Sequence, residues 1–112
     1  MKNKIVLVPF PFDDLSATKA RPAICLTDEV QPYGHIILAF ITSKVSASPS
    51  STDLTIDSQT ADFAQTGLKV SSTIYLHRLM TISKTVIQRK LGELSSNQQT
   101  EIENRLRKLF GI

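Results

Sequence analysis

A mostly β fold closed by one C-terminal helix is the class this sequence predicts. Three observations carry it. Short apolar runs rich in Val and Ile recur between polar breaks. The breaks hold Pro, Gly, Asp and Ser, the residues of turns and loops. A sustained helical pattern is clearest only over residues 95–110. Strands joined by irregular polar loops, with one amphipathic helix packed on them, predict an α+β architecture. The expected form is a small half-open β-barrel or curled sheet with helical lids.

The elements follow in order. Lys4–Phe10 is nearly continuous in its apolar character and reads as the first strand. Pro9 and Pro11 lack ladder donors and suit its end. Residues 11–20 are a polar loop, long for a hairpin, and loops of that length are often functional. Residues 21–27 form the second strand, and 28–34 turn around Pro32 and Gly34. His35–Thr42 is apolar on both faces and reads as the central buried strand. Residues 43–51 carry five serines and Pro49 and cannot pack a core. Asp53–Ile56 is a short strand, and 59–66, ending at Gly67, is one or two helical turns.

Ser72–Ser83 alternates well enough for a long strand. Its parity puts Ile74, Leu76, Met80 and Ile82 on one face and Tyr75, His77, Leu79 and Thr81 on the other. Residues 84–94 read as a helical turn followed by a last short strand. Over 95–110, Ser95 and Gln98 spell a capping box, and Ile102, Leu106, Leu109 and Phe110 share a face. Glu101 and Arg105 make an i,i+4 pair, and Gly111 follows the end.

The chain has 112 residues, 41% of them hydrophobic and 21% charged, which fits one domain over 1–112 with its own core. Net charge is +3, compatible with a polyanion but equally with a solvated mixed surface. The one cysteine, Cys25, lies among apolar residues and reads as a buried thiol. With two histidines and one cysteine, a Cys/His zinc site is excluded as a design. The basic N-terminus leads into an apolar run too short for a signal-peptide core, and no stretch is long enough to span a bilayer. The cytoplasm is the expected location.

The residues able to carry chemistry gather at strand ends. Arg21 stands where the polar loop meets the second strand, and Pro22 holds its backbone extended. A guanidinium fork matches a phosphate better than an ammonium does. Thr42 ends the third strand, with Ser43 and Lys44 directly after it. Its hydroxyl suits a phosphate or a 2′-oxygen, and equally suits capping its own turn. Lys19 adds a cation at the loop end, and Phe12 with Phe10 flanks Pro11, to wall a groove or anchor the loop. Tyr75 offers a ring on which a base can stack, and His77 an imidazole able to move a proton; an ordinary half-exposed strand is the alternative. Asp13 and Asp14 are candidate bases or turn caps, and His35 reads as structural.

With Val8-Pro9-Phe10-Pro11-Phe12, then Arg21-Pro22-Ala23, then Ile41-Thr42-Ser43, the chain resembles the MazF/PemK family of bacterial toxins. Looser likenesses run on through Gly67-Leu68-Lys69, Thr81-Ile82 and Leu91-Gly92-Glu93-Leu94, so the resemblance covers nearly the whole chain. It implies an SH3-like half-open barrel and a metal-independent, cofactor-free endoribonuclease cutting single-stranded RNA, mRNA above all, by attack of the 2′-hydroxyl. It implies that Arg21 contacts the scissile phosphate and that Thr42 is its partner. It also implies a homodimer and a cognate antitoxin whose disordered tail folds over the groove. The chain departs from the family's commoner pattern at His77, where many members carry Asp, at Met80, often Arg, and at Asn3-Lys4, usually Gly-Asp. A non-catalytic RNA- or antitoxin-binding module of this fold, or an inhibitor of a protein target such as a topoisomerase, is the alternative.

Overall fold

The structure is a computed structural model that describes residues 1–10 and 19–112. Its strands are β1 (Lys4–Phe10), β2 (Lys19–Cys25), β3 (His35–Thr42), β4 (Asp53–Ile56), β5 (Ser72–Ser83) and β6 (Arg89–Glu93), followed by helix α1 (Ser96–Phe110). They form one curled antiparallel sheet, a half-barrel, in the order β4-β5-β3-β2-β1-β6. β3 lies inside this order and buries residues on both faces, as its unbroken apolar run predicts.

Alternation along each strand splits the core in two. Ile5, Ile24, Ala39, Ile41, Leu54, Ile74 and Leu76 point to the face that α1 covers with Ile102. Val6, Val8, Ala23, Cys25, Ile36, Leu38 and Phe40 point to the other. The register of β3 with β5 breaks once, and that break corrects the parity expected for β5. Ala39 faces Leu79 whereas Phe40 faces Tyr75. Leu76, His77 and Arg78 are therefore inserted without β3 partners, and the Leu76 amide donates instead to the Thr52 carbonyl at 2.9 Å. An odd insertion exchanges the faces. Ile74 and Leu76 join the helix-side cluster, while Ile82 packs on the opposite one.

Helix α1 starts as its sequence dictates: Ser95 and Gln98 form the reciprocal capping box, and Gly111 ends the helix at φ 69°. Ile102 is buried and Leu106 partly so, but Leu109 and Phe110 are exposed, because the helix outruns the sheet. Glu101 and Arg105 form the expected pair at 2.8 Å. Arg105 also donates to the carbonyls of Ser51 and Asp53, at 2.9 and 3.1 Å, and so occupies acceptors at the sheet's β4 end.

Two segments differ from expectation, β2 and residues 59–66, whereas residues 84–94 follow it. β2 begins two residues earlier than Arg21, because pairing with β1 runs out to Phe10–Lys19. Over 59–66 only Ala64–Thr66 is helical, as a single 3-10 turn. Asp57 diverts the preceding backbone, its carboxylate accepting from the Gln59 amide and its carbonyl from the Thr60 hydroxyl. Residues 84–94 resolve into a 3-10 turn, Lys84–Val86, and then β6. Gly67 (φ 73°) and Gly92 lock the earlier turn against β6: a Cβ on either would collide with backbone of Leu91 or of Gln65 and Thr66.

Cys25 is fully buried, and burial pushes its thiol up to about 11, so it stays protonated at neutral pH. No helix among the described residues is long and apolar enough to cross a membrane.

Candidate active site

The register assembles a row of polar side chains across the sheet. Arg21 stands opposite Val8, and Thr73 opposite both Thr42 and Thr55. β2 and β3 pair Ala23 with Phe40. The β2–β3 ladder ends at that pair, and alternation beyond it turns Arg21 and Thr42 towards the face of Ala23 and Phe40. Val8, Arg21, Thr42, Thr73 and Thr55 thus share one face, and the paired neighbours Val8–Arg21, Thr42–Thr73 and Thr73–Thr55 stand about 5 Å apart by strand geometry. The sequence separates Arg21 and Thr42 by a turn and a strand; in the sheet they lie on one face of adjacent strands.

Arg21 is exposed and has no ion-pair partner among the described residues. Among the described residues nothing pairs with its guanidinium, whose five N–H donors suit an anionic ligand. Thr42 is half-buried, and its Oγ1 accepts the Lys44 amide at 3.2 Å. The turn-capping role and a ligand role are thus compatible, since the hydroxyl proton remains to be donated. Ser43 and Lys44 are exposed beside it. Thr73, which sequence reasoning missed, is 2% exposed, and its buried Oγ1 has no hydrogen-bond partner. Only the cross-strand register reveals Thr42 beside it.

A second cluster lies further along β5. Tyr75 faces Phe40 and Asp53 across the sheet. The His77 ring meets it edge-on, with centroids 5.8 Å apart and planes at 68°, and the Arg78 guanidinium lies over it at 5.7 Å. His77 Nδ1 shares a 3.0 Å hydrogen bond with Thr52 Oγ1, which lies 2.9 Å from Ser50 Oγ. Asp53 Oδ2 accepts the Ser50 amide at 3.1 Å, while its buried Oδ1 has no partner. Tyr75 and His77 therefore meet as their shared side predicts. The structure does not bring His77 into the Arg21–Thr42 row, because it stands four residues beyond Thr73, up to roughly 13 Å along the strand.

Lys19 opens β2 opposite Phe10 in the backbone register. Phe12, Asp13 and Asp14 lie outside the described residues. His35 stacks on Tyr33 at 5.5 Å, at the far end of β3, and takes no part in the row. Among the described residues, no three His, Cys, Asp or Glu side chains gather as a metal site requires. The described residues offer a guanidinium without an ion-pair partner among them, several hydroxyls and an aromatic ring, a set suited to phosphate and base rather than to an apolar ligand.

A single six-strand antiparallel half-barrel closed by a C-terminal helix defines the class of fold. The family model for PemK-like, MazF-like toxins of type II toxin–antitoxin systems matches residues 1–110, and the chain belongs to that family. Solved structures agree on the fold. The Mycobacterium tuberculosis toxin MazF-mt6 superposes with a TM-score of 0.73 at 24% identity, covering 97% of each chain. An endoribonuclease in complex with its cognate antitoxin, from a mycobacterial species, gives 0.74 at 12% identity, covering 100% of this chain and 95% of that one. MazF in a MazE–MazF complex from Deinococcus radiodurans gives 0.73 at 18% identity, covering 98% and 94%. No curated protein sequence matches the chain.

Proposed function

We propose that this toxin is an endoribonuclease that cuts single-stranded RNA, mRNA above all, without a metal. What supports the reading is that Arg21, with no ion-pair partner among the described residues, lies on the same face of the sheet as Thr42 of the adjacent strand. The 2′-hydroxyl of the nucleotide before the cut attacks the phosphorus. The bond to the 5′-oxygen breaks, leaving a 2′,3′-cyclic phosphate and a 5′-hydroxyl. One proton leaves the 2′-oxygen and one reaches the 5′-oxygen, exchanged with solvent. Arg21 holds two phosphoryl oxygens in its fork, and Thr42 donates a hydrogen bond to a phosphoryl oxygen. Positioning and charge stabilisation of this kind account for most of phosphoryl transfer. Ser43, Lys44, Lys19 and Phe12 contact flanking nucleotides, and Tyr75 with Arg78 stacks an unpaired base, which is what a single strand presents. The working form is a cytoplasmic homodimer, silenced when an antitoxin tail folds over this face.

Incubating the purified protein with a long RNA in EDTA tests the reading. Fragments ending in cyclic phosphate are expected. Intact RNA that nevertheless shifts on a gel would identify a binding module instead, and cleavage that needs added Mg²⁺ would overturn the metal-free mechanism.

His77 is assigned to a flanking nucleotide rather than to the scissile phosphate, because of its distance along β5. His77→Ala should slow cleavage less than about tenfold, below the usual 10²-fold scale of an acid–base group. The pH dependence of the rate should be the same in the variant as in the wild type. A rate loss of about 10²-fold with a flattened profile would instead make His77 the proton carrier.

A further inference from the structure

We propose that Thr73 is a positioning residue of the cleavage site, its hydroxyl donating to Thr42 Oγ1 so that the Thr42 proton is aimed at the phosphate. The inference rests on the RNA-cleaving reading above. Thr73 stands directly opposite Thr42, on the same face. It is 2% exposed, and its Oγ1 is shut off from solvent without a partner. Buried hydroxyls are almost always paired, and an orphan at a functional face points to a bond made in another state. Cross-strand Thr–Thr hydrogen bonds are a regular feature of antiparallel pairs.

A threonine oxygen accepts at two lone pairs and donates one proton. Thr42 already accepts from the Lys44 amide. Accepting from Thr73 as well fills its second lone pair. The single remaining role of Thr42 is then donation, and a phosphoryl oxygen only accepts. Substrate binding and the Thr73–Thr42 bond reinforce one another, each bond polarising the next. Thr73 touches no substrate atom itself; it acts through Thr42.

Thr73→Val keeps the shape and strand preference while removing the hydroxyl. The expected result is a fall in kcat of about fivefold, the scale of one net hydrogen bond, at nearly constant KM. Its melting temperature should be unchanged or raised, because a buried orphan disappears. Thr73→Ser should restore most of the rate. In a double-mutant cycle, Thr42→Val with Thr73→Val should be no slower than Thr42→Val alone. Wild-type kcat in Thr73→Val, or a double variant slower than Thr42→Val by the full single effect, would overturn the inference while leaving the nuclease reading intact. Wild-type protein that cuts no RNA would overturn both.

Discussion

Arg21→Ala should lose RNA cleavage by about 10²–10³-fold, the loss seen when one donor is removed from a site that stabilises developing negative charge. The guanidinium is the only described group of the row that carries a full positive charge, and no carboxylate among the described residues competes for it. The phosphoryl group carries the most charge in the transition state, so the loss should fall mainly on kcat. Arg21 is exposed and buries no part of the core, so circular dichroism and melting temperature should match wild type. Light scattering should show the same molecular mass for both proteins. Arg21→Lys should recover little, because an ammonium supplies a point charge where the phosphate needs a planar fork. A variant with Ala at position 21 that cuts at the wild-type rate in EDTA would remove Arg21 from the mechanism.

Much of this fold was legible because its signals are local. The limits of β1, β3, β4 and β5 follow from apolar runs bounded by Pro, Gly and Ser. Ser95, Gln98 and Gly111 fix both ends of α1 through groups within a few residues of each other. The expected helix over 59–66 shrank because Asp57 offered the backbone other hydrogen bonds, a competition that helical periodicity does not register. The exchange of faces in β5 was invisible for a different reason. Nothing in Leu76-His77-Arg78 marks an insertion; it exists only relative to β3, through the partners of Ala39 and Phe40.

The site divides in the same way. Arg21 and Thr42 are candidates from strand ends and from the family resemblance, and strand alternation turns both to one face of the sheet. Thr73 carries no sequence signal, since a Thr in a β-strand is ordinary. Its interest comes from burial without a partner and from the residue opposite it. Arg78 acquired its place over Tyr75 from the same insertion that confounded parity.

A substrate lacking the 2′-hydroxyl at the nucleotide before the cut should not be cleaved at all. An internal nucleophile held in line is worth an effective concentration of about 10⁵–10⁸ M, and a single deoxy substitution forfeits all of it. Neither the Cys25 thiol nor the Thr42 hydroxyl is poised to replace it. Cys25 is fully buried with its thiol pushed up to about 11, so it presents no thiolate. The Thr42 hydroxyl has no base among its hydrogen-bond partners, only the amide of Lys44. Binding should survive, because Arg21 and the Tyr75–Arg78 platform address phosphate and base rather than the 2′-position. The deoxy substrate should therefore act as a competitive inhibitor of RNA cleavage, with affinity close to that of the RNA. Mass spectrometry of the all-ribose products should show a 2′,3′-cyclic phosphate, or the 3′-phosphate formed by its hydrolysis, and a 5′-hydroxyl. Cleavage of the deoxy substrate at the same bond would mean that water or a protein group attacks the phosphorus, and Arg21 and Thr42 would then have to be assigned to a different reaction.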